Sequence, residues 1–399
     1  MRPDADRIIT LDVLRGLAVM GILLMNIGGF ALPEGAYFNP HAVALHGPAD
    51  RSIWIAQFVL VDGKLRNIFS LLFGAGILLV IDRAIAAGRD EGVVHIRRMA
   101  VLALFGLAHF YLLWWGDILF QYAVLGTLAM FVADRRPAAL VRLALLCLLL
   151  HAILSATSLF GLASLRANPA DWSTIAPQIG AVDRPAIAAE IHRMHGTYPA
   201  LLHHRVTVDL GLPFAMLIGN GLETLGMMLF GMAGLRSGFL TGVWPRQRYR
   251  QVALVGYAMA IPVMLLLAYW AIRSGFDPVV NLGVTTVWSL PFRPLLALAH
   301  VALAVLIAGD GAVRTRIAAV GRAAFTNYLG TSLMMTTLFY GYGLGLFGRL
   351  DRLQLLAVVV ATWAIMLLWS KAWLDRYRHG PLEWVWRTLA GTYHRPGSD

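Results

Sequence analysis

Residues 11–31 read LDVLRGLAVMGILLMNIGGFA, and this stretch decides the fold class. An apolar run of about 20 residues spans the hydrocarbon core of a bilayer when helical. Asp12 and Arg15 lie inside the stretch. A cleaved signal peptide carries its charge before an uninterrupted apolar region, so the segment is expected to stay as the first span.

Comparable apolar blocks follow at about 60–81, 97–115, 117–133, 138–163, 207–235, 250–272, 284–307, 320–343 and 352–373, which predicts ten spans in all. None has the short alternating pattern of an outer-membrane strand. Of the 399 residues, 58% are hydrophobic and 14% charged; a soluble chain carries about 25% charge. The expected fold is an all-α polytopic membrane bundle over residues 1–375, with an amphipathic interfacial tail over 376–399.

Charge sets the expected orientation. The net charge is +11, yet the basic residues follow the apolar blocks instead of forming one polar face. That pattern fits lipid head groups and topology, not nucleic acid. Arginines cluster on alternate connections, at Arg83, Arg89, Arg97 and Arg98, at Arg135 and Arg136, at Arg246, Arg248 and Arg250, and at Arg314, Arg316 and Arg322. With these connections and both termini cytoplasmic, the positive-inside bias is satisfied throughout. Long outer loops then fall at about 32–59 and 164–206. Cys147, the single cysteine, excludes an internal disulfide and reads as a small apolar residue.

Polar groups inside apolar runs are costly and carry the functional information. Asp12 and Arg15, three apart on one helical face, either pair structurally or hold an anionic group from the cytoplasm. Asn26 stands about 16 Å further along the same helix; its amide either lines a passage and donates to an oxyanion or bonds to a neighbouring helix. Lys64 and Arg66 open the second span, either snorkelling to head groups or lining a site for a negatively charged substrate.

The richest cluster is GLAHFYLLWWGDILFQY, residues 106–122. It places His109 before a tight turn, and Asp117 and Gln121 on the returning helix. A histidine oriented by a carboxylate is a general base suited to deprotonating a hydroxyl or amine that attacks an acyl carbonyl. An aromatic interfacial turn around a neutral histidine is the alternative. Glu223, deep in the sixth span, needs a partner or water, and Arg293 between Pro291 and Pro294 is the expected one, on a helix broken by its prolines. His151 and His300 read as packing histidines. His192, His195, His203 and His204 match no metal-ligand spacing, so no metal is expected. In the tail, Leu382, Trp384, Trp386 and Leu389 among arginines predict a helix lying along the inner surface. Glycines of FGAGILL and GMMLFGMAG predict close helix packing.

The segments LDVLRGLAVMGILLMNIGGF, FSLLFGAG, GLAHFYLLWWGDIL, VGRAAFTNYLGTSLMMTTLFY and GPLEWVWR resemble the YeiB family of bacterial inner-membrane proteins over almost the whole chain. That family in turn resembles, more distantly, the lysosomal heparan-α-glucosaminide N-acetyltransferase and other transmembrane acyltransferases. The resemblance implies an acyl-CoA donor, acetyl-CoA or another, taken from the cytoplasm. It assigns Asp12, Arg15 and Asn26 to a shared first-span motif. It also implies a histidine in the first outer loop, for which His41 in YFNPHAV is the nearest match.

The expected function is therefore acyl transfer to a hydroxyl or amine of a small-molecule, lipid or glycan acceptor at the outer face. His109 would act as base and Asp117 would orient it. Asn26 or Arg293 would stabilise the oxyanion, and Asp12 and Arg15 would hold the donor. His41, Lys64, Arg66, Gln121, Glu223 and Arg293 would contact the acceptor. A transporter of a small anionic metabolite or lipid, built around Glu223 and Arg293, is the second reading, and a membrane scaffold the third.

Overall fold

The computed structural model describes residues 8–40 and 48–391. His41 lies outside the described residues. The chain forms α1 (Ile9–Ala31), a short α2 (Gly35–Phe38), α3 (Pro48–Leu60), α4 (Lys64–Ala86), and α5 (Glu91–Ala108), which widens into a π-helix over His109–Leu113. Next come α6 (Leu119–Met130), α7 (Pro137–Ser164), three short helices α8 (Pro169–Ile175), α9 (Arg184–Met194) and α10 (Tyr198–Thr207), then α11 (Leu212–Arg236) and α12 (Arg246–Arg273). The chain ends with α13 (Pro278–Gly283), a π-helix over Val284–Trp288, α14 (Phe292–Ile307), α15 (Ala312–Arg322), α16 (Ala324–Phe339), α17 (Arg352–Leu374) and α18 (Pro381–Leu389).

This is an all-α polytopic membrane bundle. Seven helical segments of the described residues are long and apolar enough to cross a membrane. There are eight if the pair Pro278–Trp288 and Phe292–Ile307, bent by 54°, is one span. The bend falls where the prolines around Arg293 predict it, because proline removes a backbone donor and its ring clashes with the preceding turn. The predicted fourth span is the 12-residue α6, only about 18 Å long at helical rise. The predicted ninth is divided at Ala323, where ψ of 32° interrupts helical geometry between α15 and α16.

The two predicted long loops are substantially helical. Within 32–59, α3 buries Trp54 and Phe58, four residues apart, against Met264 and Ala268 of α12. Its start carries Asp50, Arg51 and Ser52, so hydropathy alone hides a helix that its apolar face defines. The second loop folds into α8, α9 and α10. There Leu201 joins a cluster with Phe30, Trp114 and Phe339, which caps the end of the bundle where α1 finishes.

Lipid acts as the outer solvent. Leu145, Leu149 and Ile153 of α7 and Leu254 and Leu266 of α12 are exposed. A water-soluble surface would not carry apolar stripes of this length, whereas a bilayer accommodates them. The interior instead uses small residues. A Cβ on Gly231 of α11 would lie 1.8 Å from the Leu71 carbonyl oxygen of α4, and one on Gly74 of α4 would lie 2.0 Å from that of Met228. Backbones approach this closely only where side chains are missing, which locks α4 against α11 by van der Waals contact.

Candidate active site

The π-helix at the end of α5 sets the first site. Adding a residue to the turn lets the His109 carbonyl accept from Trp114 N–H at 2.9 Å, five residues on. Such single π-turns often mark functional positions. The chain then reverses through Trp115 and Gly116 and brings Asp117 back beside His109. His109 Nδ1 is 2.8 Å from Asp117 Oδ1, with both side chains buried. Asp117 Oδ2 accepts from Phe120 N–H at 2.9 Å, which fixes the carboxylate at the start of α6. Gly106 makes room for this: a Cβ there would meet Phe120 N at 2.2 Å and Asp117 Oδ2 at 2.9 Å.

The proton bookkeeping follows from geometry. A carboxylate only accepts, so His109 donates through Nδ1–H, and the lone pair of the neutral ring is then on Nε2. Nε2 is buried and has no hydrogen-bond partner among the described residues. Its neighbours are rings: Tyr328 at 5.2 Å and Trp114 at 6.4 Å between centroids. Trp114 stacks on Phe30 at 3.8 Å and donates to the Gly29 carbonyl at 3.4 Å, which ties the turn to the end of α1. Asn26, half-buried, stands one turn before Gly29 on α1.

A cavity of about 620 Å³ opens among the start of α1, the end of α4, the start of α5, the start of α16 and the tail. Its walls carry Arg15, Arg83, Arg98, Arg322, Arg378 and Arg387, against Asp12 and Glu383. Arg15 Nη1 and Asp12 Oδ1 pair at 3.3 Å, as their spacing predicts, and both line this cavity. Burial, then the charge of Arg83, pushes the Arg387 guanidinium below its ordinary value. His95 lines the cavity with Nε2 on the Gly126 carbonyl at 3.0 Å and Nδ1 buried without a partner among the described residues. Leu119, Tyr122, Phe325 and Tyr328 also line it. With several guanidinium groups and apolar side chains in one lining, the space suits an amphiphilic anion.

The tail does more than lie along a surface. Glu383 Oε1 accepts from Phe325 N–H at 2.7 Å and Thr326 N–H at 3.1 Å, and the Thr326 hydroxyl donates to Oε2 at 2.5 Å. Trp386 donates to the Arg98 carbonyl at 3.1 Å while the Arg98 guanidinium lies 4.4 Å over its ring. The helix α18 thus forms one wall of the cavity, while Trp384 and Leu389 remain exposed on its other side.

A second polar centre gathers around Glu223. Its carboxylate accepts from Arg66 Nη2 at 2.6 Å, Asn67 Nδ2 at 3.2 Å and Arg293 Nη1 at 3.4 Å. His151 Nε2 stands 3.8 Å away, so this histidine belongs to the centre instead of merely packing. Arg293 is the expected partner of Glu223; Arg66 is the unexpected one. Gln121 donates to the Thr224 hydroxyl at 3.1 Å, next to Glu223. Lys64 and Arg66 do not snorkel: Lys64 is 1% exposed and donates to the Phe58 carbonyl at 2.5 Å. The break between α3 and α4 turns both cations inward, where the Phe58 carbonyl accepts from Lys64 and the Glu223 carboxylate pairs with Arg66. Tyr122 stands between the two centres. It lines the cavity, and its hydroxyl lies 2.6 Å from Ser70 Oγ and 3.4 Å from the Arg66 carbonyl.

His300 Nδ1 bonds the Leu296 carbonyl within its own helix, and His195 bonds the Phe347 carbonyl. Among the described residues no three His, Cys, Asp or Glu side chains converge as metal ligands. The sequence brings forward His109, Asp117, Asp12, Arg15, Glu223 and Arg293, but not Tyr328, His95 or Glu383. The arginines of the cavity were legible only as topology signals, because their convergence needs five separate elements.

The chain is 33% identical over 401 residues to "Uncharacterized protein YeiB" of Escherichia coli (strain K12), a match covering 96% of each chain. It is 29% identical to "Uncharacterized protein YxaH" of Bacillus subtilis (strain 168), over 96% of this chain and 94% of that one. A third relative, "Uncharacterized 39.9 kDa protein in amylase 3'region" of Bacillus acidopullulyticus, is 27% identical over 98% of this chain and 95% of its own. Residues 235–393 match the family model "Protein of unknown function (DUF418)". No solved structure matches the chain. End-to-end similarity at this level, with the helical bundle and its lipid-facing surface, makes this chain a bacterial membrane protein of the YeiB family.

Proposed function

We propose that the chain is a transmembrane acyltransferase, with the arginine-lined cavity as its donor side and His109 as its base. The positive-inside bias makes the cavity end cytoplasmic, with ten passages counting α6 and the α15–α16 pair and both termini inside. A cytoplasmic acyl-CoA then places its phosphates among the arginines and its acyl end among Leu119, Phe325 and Tyr328. The supporting observation is the His109–Asp117 bond of 2.8 Å, which leaves Nε2 as the basic nitrogen one ring away from that cavity.

In this reading Nε2 takes the proton from an acceptor hydroxyl or amine supplied from the outer face. The acceptor atom bonds the thioester carbonyl carbon, the C–S bond breaks, and the thiolate leaves with a proton relayed through the imidazole. Asp117 stabilises the imidazolium without taking its proton. Arg293 is engaged by Glu223, so Asn26 is the remaining candidate for oxyanion donor. The test is release of free thiol from acetyl-CoA by the purified protein with a panel of hydroxyl and amine acceptors. Turnover should fall at least about 100-fold in His109→Ala; turnover indifferent to that change would overturn the assignment.

Transport of a small anion is favoured by a different observation. Glu223 and two arginines sit beside a helix pair bent by 54°, and broken helices of this kind bind ions and substrates in many transporters. Uptake of a labelled anion into proteoliposomes, abolished in Glu223→Gln while His109→Ala is active, would select this reading.

A further inference from the structure

Tyr122 and Tyr328 both line the cavity. The Tyr122 hydroxyl is 2.6 Å from Ser70 Oγ, and its ring is packed by Phe73 at 5.0 Å and Phe69 at 5.6 Å. The Tyr328 hydroxyl donates to the carbonyl of Gly116 at 3.4 Å and also meets the backbone of Ile118, the residues on either side of Asp117. The ring of Tyr328 packs on His109, whose side chain has no exposed surface. The Tyr328 ring thus lies against His109 on one side and lines open volume on the other.

We propose that Tyr328 is a gating residue whose ring separates the cavity from His109 and must swing aside for a ligand in the cavity to reach Nε2. Its purpose rests on the acyl-transfer reading. A closed ring keeps water near the base away from a thioester until the acyl end displaces it. Without the ring, water competes with the acceptor: its oxygen bonds the carbonyl carbon, the C–S bond breaks, and the thiol leaves with one of the water's protons.

The test is carbethoxylation of histidines by diethyl pyrocarbonate on the full chain in detergent, mapped by mass spectrometry. His204, about one quarter exposed, is the internal reference, and His151, buried away from Tyr328, reports general loosening. His109 should label slowly in the native chain and in Tyr328→Phe. In Tyr328→Ala it should label at least about 10-fold faster with His204 and His151 unchanged. Tyr328→Leu serves if the alanine variant does not fold. Unchanged protection of His109, or equal acceleration at His151, overturns the gate. The labelling needs no acyl donor, so the gate can stand where the transferase reading fails. Where thioester turnover exists, acceptor-free hydrolysis should rise in Tyr328→Ala but not in Tyr328→Phe.

Discussion

Arg66 Nη2 and Glu223 Oε2 lie 2.6 Å apart although 157 residues separate them, and Glu223 has no exposed surface. The pair joins α4 to α11, and Arg293 and His151 bring α14 and α7 to the same carboxylate. Removing the carboxylate leaves two part-buried guanidinium groups without their hydrogen-bonded partner, with Asp62 the nearby remaining carboxyl. Glu223→Ala is expected to lose about 3–5 kcal/mol of stability. Glu223→Gln, which keeps shape and one acceptor, should lose less. Melting in detergent, followed by aggregation or tryptophan fluorescence, checks both; an alanine variant that melts with the native chain removes this keystone role.

For the His109–Asp117 pair the expectation separates chemistry from folding. Asp117→Asn keeps an acceptor for Nδ1–H but turns a donor toward one of its two partners. Thioester turnover should drop about 10²–10⁴-fold, the range associated with losing a positioned acid–base group. Melting should shift by no more than about 1–3 kcal/mol for the broken buried bond. Steady-state kinetics beside melting curves distinguish the two, and equal losses in both would assign the pair a structural role only.

Gly231 should tolerate no larger residue. A Cβ would sit 1.8 Å from the Leu71 carbonyl, a backbone atom that cannot give way alone. Gly231→Leu should therefore separate α4 from α11 at a cost of at least about 1–3 kcal/mol. It should also disturb Arg66 and Glu223 through the same helix pair. Yield of monodisperse protein is the measurement, with Gly161, where a Cβ meets nothing within 4 Å, as the tolerant control.

Docking of the tail should depend on pH through Glu383. Burial pushes its carboxyl above the ordinary 4.5, although its hydrogen bonds to Thr326 and Phe325 pull the other way. A raised folded value means the docked state binds the proton more tightly. The associated stabilisation is complete below 4.5 and is lost as pH rises through the raised folded value. Protease cleavage near residue 380 should become faster across that window in the native chain. Glu383→Gln should be flat, and a native profile equally flat would refute the linkage.

The arginine wall gives a fifth expectation, for binding. Arg83→Ala with Arg387→Ala should raise the KM for acetyl-CoA about 10-fold or more while kcat changes little, because these groups hold the donor's charge without touching the reacting atoms. The loss should shrink in high salt. A fall in kcat alone would place the donor elsewhere.

Local sequence carried the helical membrane class and the break around Arg293, and it offered the pairing of Asp12 with Arg15 as one of two readings. It also determined the close packing at Gly74 and Gly231 and the proximity of His109 to Asp117. Each of these follows from local periodicity, from proline and glycine chemistry, or from a turn only a few residues long. Even the Glu223–Arg293 pair was legible, since a carboxylate inside an apolar run must find a cation. Tertiary structure alone decided that Arg66 is the shorter partner, that His151 joins them, and that Lys64 turns inward. It also decided that the tail walls a cavity and that Tyr328 stands between that cavity and His109. These depend on how separate helices converge. A charge or ring on one helix can meet several others at equal local cost, and only the packed bundle selects which.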